Sequence, residues 1–346
     1  MDERKKKVLH AIIDDYITNA EPVGSRAVAK KSGLGVSPAT IRNEMSDLEE
    51  LGFIEQPYTS AGRVPSDKGY RYFVDHLMEK ESLTRLEIEA VRHALSVQMA
   101  ETDDFMRSCC SLIAKLTNYT TMVSTPHHGR GILQKLQLIA VNDYQVLVMM
   151  SSSTGLVRHK LINVNNPISP DLLSRIELLA AARLIGRELD DLNYQYIKQI
   201  IYEIEQHQRR RDDATELLKQ VLLQPGEHKV YTGGALNMLI QPEFRDPERL
   251  KGIFELLEED NRVKALLQTN ADNKKTSLSI SIGAELDDTD MQDCSLIVAH
   301  YYIDGEQAGS IGVLGPRRMS YPKTVSLMDY IAKEISKSLY KYYYLR

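Results

Sequence analysis

The 346-residue chain has no tryptophan, only five phenylalanines and three cysteines. Cys109 and Cys110 are adjacent and Cys294 is far away, so there is no CxxC knuckle and no His/Cys cluster with zinc-ligand spacing. This odd, low count fits a reducing cytosol, where disulfides are rare. His127-His128 sits in a Pro/Gly stretch and reads as a solvated loop; neither a metal nor a cofactor is expected. No run of eighteen apolar residues exists, so no membrane span or membrane partner is expected. The N-terminus, MDERKKKVLHAII, resembles a signal peptide only until Asp14-Asp15 breaks the apolar run, and no small-residue cleavage site follows. Nucleophile elbow, paired catalytic carboxylates, HExxH and kinase signatures are all missing, which argues against an enzyme.

Positive charge is also scarce. Lys and Arg total 43 against 48 Asp and Glu, a net charge of −5. A chain coated by nucleic acid would normally be basic. The total leaves room for a local basic face on one domain, because the recognising field is local. The length implies two or three domains.

Apolar periodicity and caps divide the chain. Residues 4–19 form a helix with Val8, Leu9, Ile12, Ile13, Tyr16 and Ile17 on one stripe. Gly24-Ser25 caps a short helix from Arg26 to Lys31, and Ser32-Gly33-Leu34-Gly35 is a turn. Ser37-Pro38 starts a third helix, a cap followed by proline at the first helical position, and Gly52 stops it. Phe53–Gln56 and Arg63–Pro65 are short strands around a turn at 57–62, and Ser66-Asp67 caps a helix carrying Tyr70, Phe73, Val74 and Leu77. Beyond a helical stretch from Leu83 to Leu116, strands are expected at Leu133–Val141, Tyr144–Ser151 and Leu156–Val164. Helices follow from Ser169-Pro170 to about Gly186 and over 191–223, the latter with a solvated Arg209–Arg211 run. The last third offers strands at Lys229–Thr232, Ser277–Ile282, Cys294–Tyr302 and Gln307–Leu314. Helices fall at 246–268 and from Tyr321-Pro322 to Tyr344, and Asp304-Gly305 makes a hairpin turn.

The first 65 residues therefore spell helix–helix–turn–helix–strand–wing–strand, the order of a winged helix-turn-helix. In that motif the third helix enters the major groove by its N-terminal end. At 100° per residue, Ile41, Met45 and Leu48 share one face, with Ala39, Asn43 and Ser46 opposite and Thr40 and Arg42 flanking. Arginine suits guanine edges or phosphate, asparagine suits adenine, and small or methyl-bearing side chains suit thymine. Residues 1–80 carry 12 cations and 13 carboxylates, so the signal lies in arrangement. Gly24–Asn43 holds Arg26, Lys30, Lys31 and Arg42 with no acid, and Glu44, Asp47, Glu49 and Glu50 come later. The candidate DNA-binding residues are Ser25, Arg26, Ser37, Ala39, Thr40, Arg42 and Asn43, with Tyr58, Thr59, Ser60 and Arg63 on the wing for phosphate or minor-groove contact.

At these residues the chain resembles a known family. The block PVGSRAVAKKSGLGVSPATIRNEMSDLEELGFIEQPYTSAGRVPSDKGYRYFVDHLM is similar to the N-terminal domain of the HrcA family, bacterial heat-inducible transcription repressors. DCSLIVAHYYIDGEQAGSIGVLGPRRMSYPKTVSLMDYIAK extends the likeness towards the C-terminus, and YTGGALNML lies between. The resemblance implies a multidomain α+β protein: a winged helix over 1–80, a GAF-like α+β domain from 81–134 and 222–346, and an inserted α/β dimerising domain at 135–221. It also implies a homodimer bound to an inverted-repeat operator, the CIRCE element, upstream of chaperone operons. Ser37 to Asn43 would enter the groove and Tyr58 to Arg63 would form the wing. The GroEL chaperonin would maintain the activity, and the protein would be cytoplasmic and nucleoid-associated. The competing expectation is a regulator gated by a small molecule in the GAF-like domain. Gly233-Gly234 and the GPRR turn at 315–318 match neither a P-loop nor a dinucleotide fingerprint, and read as structural turns.

Overall fold

The computed structural model describes all residues except 32, 60, 96–101, 127–131, 154–156, 165, 189–201, 203–228, 269–276 and 345–346. Ser60, the His127-His128 pair and nearly all of the expected 191–223 helix, including Arg209–Arg211, lie outside the described residues. The chain divides into two compact units. One comprises 1–125, 230–302 and 309–336; the other comprises 126–229, 303–308 and 337–346.

In the first unit, α1 (Glu3–Asn19), α2 (Ser25–Lys31) and α3 (Pro38–Glu50) precede the two-residue strands β1 (Ile54–Glu55) and β2 (Val64–Pro65), which pair antiparallel. Capping explains the boundaries. Asp2 accepts from Lys5 N at the start of α1, and Ser37 accepts from Thr40 N at the start of α3, with Pro38 beside it. The helices bury the stripes expected of them: Val8, Leu9, Ile12 and Ile13 from α1, Val28 from α2, and Ile41, Met45 and Leu48 from α3. Both wing strands are shorter than the expected 53–56 and 63–65, because Arg63 pairs back to Val23 instead of extending β2. The helix expected after Ser66-Asp67 is α4 (Asp67–Tyr72), which continues as a π-turn through Phe73–Leu77.

The same unit holds a five-stranded sheet of order β7-β3-β10-β9-β8, where β3 is Thr120–Ser124, β7 Val230–Gly233, β8 Leu278–Ile282, β9 Cys294–Ile303 and β10 Glu306–Pro316. Strand β3 is absent from the expected elements, which leave 117–132 without a strand. It pairs antiparallel with both β7 and β10, so it lies inside the sheet. Met122, Leu296, Val298 and Leu314 pack from one face of the sheet into a core with Ile253 and Leu256 of α8 (Pro247–Glu258) and Val263 and Leu267 of α9 (Asp260–Gln268). Alternate residues point to the opposite face, where α6 (Thr102–Thr117) packs on β3 and on α5 (Arg85–Leu95). The last helix, α10 (Tyr321–Tyr344), buries Val325, Met328, Ile331 and Ile335. At the β9–β10 turn both Asp304 and Gly305 have positive φ, as the expected two-residue hairpin requires.

The second unit contains an antiparallel sheet β4 (Leu133–Asn142), β5 (Gln145–Ser152) and β6 (Val157–Asn163) with α7 (Pro170–Leu184) on one face. Leu136, Leu138, Val146, Val148 and Ile162 form its core with Leu173, Ile176 and Ala180 of α7. The three strands and the helix follow the expected order within a residue or two. No described helix is long and apolar enough to cross a membrane.

Candidate nucleic-acid interface

The turn after α2 uses Gly33 and Gly35, both at positive φ, to bring α3 round behind α2. At the head of α3, Ser37 Oγ accepts from Thr40 N at 3.2 Å and lies 3.0 Å from Thr40 Oγ1. These two hydroxyls are engaged in the cap. Ala39, Arg42 and Asn43 stand exposed beside them, on the side of α3 opposite the buried Ile41, Met45 and Leu48. Among the described residues, Arg42 forms no ion pair. A guanidinium and a carboxamide thus project from the first turns of a helix whose amide dipoles make that end positive.

Three of the four acids of α3, Glu44, Asp47 and Glu49, are tied to cations of other segments. Lys5 Nζ of α1 lies 3.1 Å from Glu44 Oε2 and 3.0 Å from Asp47 Oδ2, and Arg4 is 3.4 Å from Glu44 Oε1. The hydrogen bonds to Asp47 and Glu44 hold the Lys5 ammonium above the ordinary lysine range, so these carboxylates remain compensated at neutral pH. At the far end, Lys68 donates to the Leu51 carbonyl at 2.8 Å and lies over the Phe53 ring, which suits the negative end of α3.

Two expected cations are engaged elsewhere. Lys31 pairs with the buried carboxylate of Asp15, which also accepts from Asn19 at 2.6 Å. Arg63 sits at the root of the wing, with Nε 2.9 Å and Nη2 2.7 Å from Glu49 Oε2 of α3. Its guanidinium braces the wing against α3, and its backbone exchanges hydrogen bonds of 2.9 Å with Val23. Gly62 allows this close approach, since a Cβ there would fall 2.6 Å from the Val23 carbonyl. The wing tip carries Tyr58, 65% exposed, and exposed Thr59. Gln56 closes the loop by donating to Ala61 O at 3.2 Å. On α2, Arg26 is exposed and Ser25 half-buried. The outward cations of this region are therefore Arg26, Lys30 and Arg42.

A second group of residues escaped the sequence reading. It fastens the winged helix to the five-stranded-sheet domain within the first unit. Arg71 of α4 bonds Glu285 (Nε to Oε1 2.8 Å) and the Ile280 carbonyl (2.7 Å). Arg317 spans Asp67 at 2.8 Å and Asp293 at 3.1 Å. Arg318 pairs with Glu243 and reaches the Ile17 carbonyl of α1 at 3.2 Å. Tyr70 and Tyr321 pack with ring centroids 6.0 Å apart. Gly283, at φ +52°, lies under the Asp67 carboxylate, where a Cβ would overlap the carboxylate oxygens. The SDKGYRY and GPRR segments were visible in the sequence, but nothing local marks them as partners.

The cysteines do no surface chemistry. Cys109 and Cys110 are buried and burial pushes both thiols up to about 12, so they stay protonated at physiological pH.

A capped helix presenting free donors beside a braced wing defines a winged-helix transcription regulator. The chain matches the HrcA winged helix-turn-helix DNA-binding domain over residues 1–77 and the HrcA protein C-terminal domain over 103–325. It is 40% identical to the heat-inducible transcription repressor HrcA of Pelotomaculum thermopropionicum over 98% of this chain and 97% of that one. It is likewise 40% identical to that of Carboxydothermus hydrogenoformans over 97% of this chain and 98% of that one. The chain belongs to the HrcA family of heat-inducible transcription repressors, and its N-terminal domain is that family's DNA-binding winged helix. A crystal structure of a hypothetical protein at 2.2 Å shares the fold over 99% of both chains, with TM-score 0.62 and 22% identity.

Proposed function

We propose that the protein represses chaperone operons by binding, as a homodimer, an inverted-repeat operator of the CIRCE type, with the GroEL chaperonin maintaining its active form. The observation that carries DNA reading is the leading end of α3, where Arg42 and Asn43 are exposed while Glu44, Asp47 and Glu49 are tied back. Ala39, Arg42 and Asn43 read bases, and Ser37 and Thr40 set the helix head. Ser25 and Arg26 meet the backbone from α2. Tyr58, Thr59 and Ser60 form the wing contact, which Arg63 positions.

An inverted repeat requires a two-fold protein, one reading helix per half-site. The middle of the chain supports this. Strand β3 pairs with β7 across an interval of more than a hundred residues that makes its own compact unit, as expected of a domain at 135–221 inserted into a GAF-like domain of 81–134 and 222–346. In the inserted sheet, Ile139, Leu147 and Leu161 lie in register on the face away from α7. Ile139 is 44% and Leu161 50% exposed. That apolar row is the dimer contact. Two linked readers gain effective concentration at the second half-site.

Heat release follows from marginal stability, since only a few kcal/mol separate folded from unfolded protein. A chaperonin occupied by other clients would then leave less active repressor. The test is a footprint on an inverted repeat upstream of chaperone genes, repeated after heating with and without chaperonin and ATP. Protection of both half-sites, restored after heating only with chaperonin, is expected. Protection of neither half-site overturns operator binding, and equal recovery without chaperonin overturns the feedback.

A further inference from the structure

A polar cavity among the described residues lies far from α3 in sequence. It is a cleft of about 470 Å³ between one face of α6 and the edge strand β7. That volume falls in the range of small-molecule sites, roughly 300–1,000 Å³. Arg107, Ser111 and Lys115 line it at i, i+4 and i+8, so three polar side chains share one face of α6. Facing them are Tyr231 and Thr232 of β7. Among the described residues, no carboxylate lines the cleft. Among the described residues, neither Arg107 nor Lys115 forms an ion pair, whereas the dock of the winged helix uses each of its arginines in one. Two cations without a carboxylate partner over one cleft give it a local positive field that favours an anion.

The cleft is also built. The Arg107 guanidinium stacks over the Tyr231 ring at 4.5 Å, which orients its donors and lowers the cost of fixing them on a ligand. Cys110 Sγ donates to the carbonyls of Thr121 and Tyr231 at 3.4 Å and ties α6 to the strands below. Asn237 donates to the carbonyls of Ala114 and Tyr119 at 3.3 and 3.2 Å and closes one end. Cys110 and Asn237 thus hold the floor of the cleft to the strands and loop beneath it.

We infer that this cleft is a binding site for a small organic or inorganic anion bearing carboxylate or phosphate groups, held by Arg107 and Lys115. The site stands apart from the DNA-reading residues, and its test needs no DNA. The full chain is titrated calorimetrically, at constant ionic strength, with inorganic phosphate, citrate and adenosine monophosphate. At least one of these binds. Arg107→Gln and Lys115→Gln each weaken that binding about tenfold, the loss of one charge-assisted contact. Lys251→Gln, a distant exposed cation on α8, leaves it unchanged. Because Arg107 and Lys115 are exposed, the variants fold, and unchanged thermal unfolding checks this. The phosphate and citrate arms separate the two anion chemistries. Absence of binding by all three probes, or binding that survives both glutamine variants, overturns the site. So does selective capture of an acidic peptide in place of the small probes, which would make the cleft a protein contact.

Discussion

The proposed reading has helix α3 separate stability from recognition residue by residue, and substitution on its two faces tests that separation. Arg42→Ala and Asn43→Ala remove exposed side chains that α3 does not use for packing. Surface changes of this kind usually alter stability by less than about 0.5 kcal/mol. A base contact is worth about 1–3 kcal/mol, so each should weaken operator binding by a factor of roughly 5 to 150. Leu48→Ala acts in the opposite sense. Leu48 of α3 is fully buried, and truncation should cost about 2–5 kcal/mol of folding free energy by lost burial and the cavity left behind. Fluorescence anisotropy on the operator duplex and on a duplex with scrambled half-sites gives the binding terms, and denaturant unfolding gives the stability. Salt dependence sorts the role of Arg42. A base contact reduces the preference for operator over scrambled DNA, and a phosphate contact weakens both and lowers the salt slope by about one. If Arg42→Ala and Asn43→Ala both bind the operator as tightly and as selectively as the parent, α3 is not the reading helix. If either unfolds the domain, the assignment of its faces is wrong.

Other consequences are testable in the same preparation. Arg317→Ala leaves the half-buried Asp67 without its cation, while Asp293 keeps Arg249, and should destabilise the chain by about 1–3 kcal/mol in denaturant melts; no change would show that the dock does not depend on it. Leu161→Lys places a charge in the exposed apolar row of the three-stranded sheet and should shift sedimentation towards the monomer, whereas a retained dimer would place the interface elsewhere. Burial lowers the affinity of His300 for a proton below the ordinary value of 6.5. As pH falls below 6.5 the unfolded chain therefore binds more protons than the folded one. Stability from this group is complete above that pH and is lost on acidification through the folded value; His300→Gln should flatten the decline, and an unaltered slope between pH 7.5 and 5.5 would refute it.

What could be read in advance followed physical range. The caps at Ser37 and Ser66, the apolar stripe of α1 and the turn at Asp304-Gly305 act within four residues, so their pattern is written in adjacent letters. Strand β3 was missed because Thr120 to Val123 are all buried. A short strand covered on both faces shows no alternation, and its hydrogen-bond partners lie more than a hundred residues away. The pairing of charges was hidden in the same way. Lys31 and Arg63 read as outward cations, and the acids that pair with them, Asp15 and Glu49, lie 16 and 14 residues away in the chain. At the candidate site the exposed residues of α3 were legible from helical geometry alone. The bracing of the wing and the fastening of α4 were not, since each joins side chains that only the tertiary fold brings together.

The fastening of the winged helix by Arg71, Arg317 and Arg318 has a consequence for the DNA. A head joined to its body by a loose tether can follow half-sites set at different distances, but one held at three arginines and seated on Gly283 has little slack. One extra base pair between half-sites would rotate one against the other by roughly 35° and move it about 3.4 Å. A head without slack against its own domain leaves any such displacement to be absorbed elsewhere in the chain. If the protein binds an inverted repeat as the proposed dimer, that fastening confines adjustment to a changed spacer to the parts of the chain beyond the winged helix and its dock.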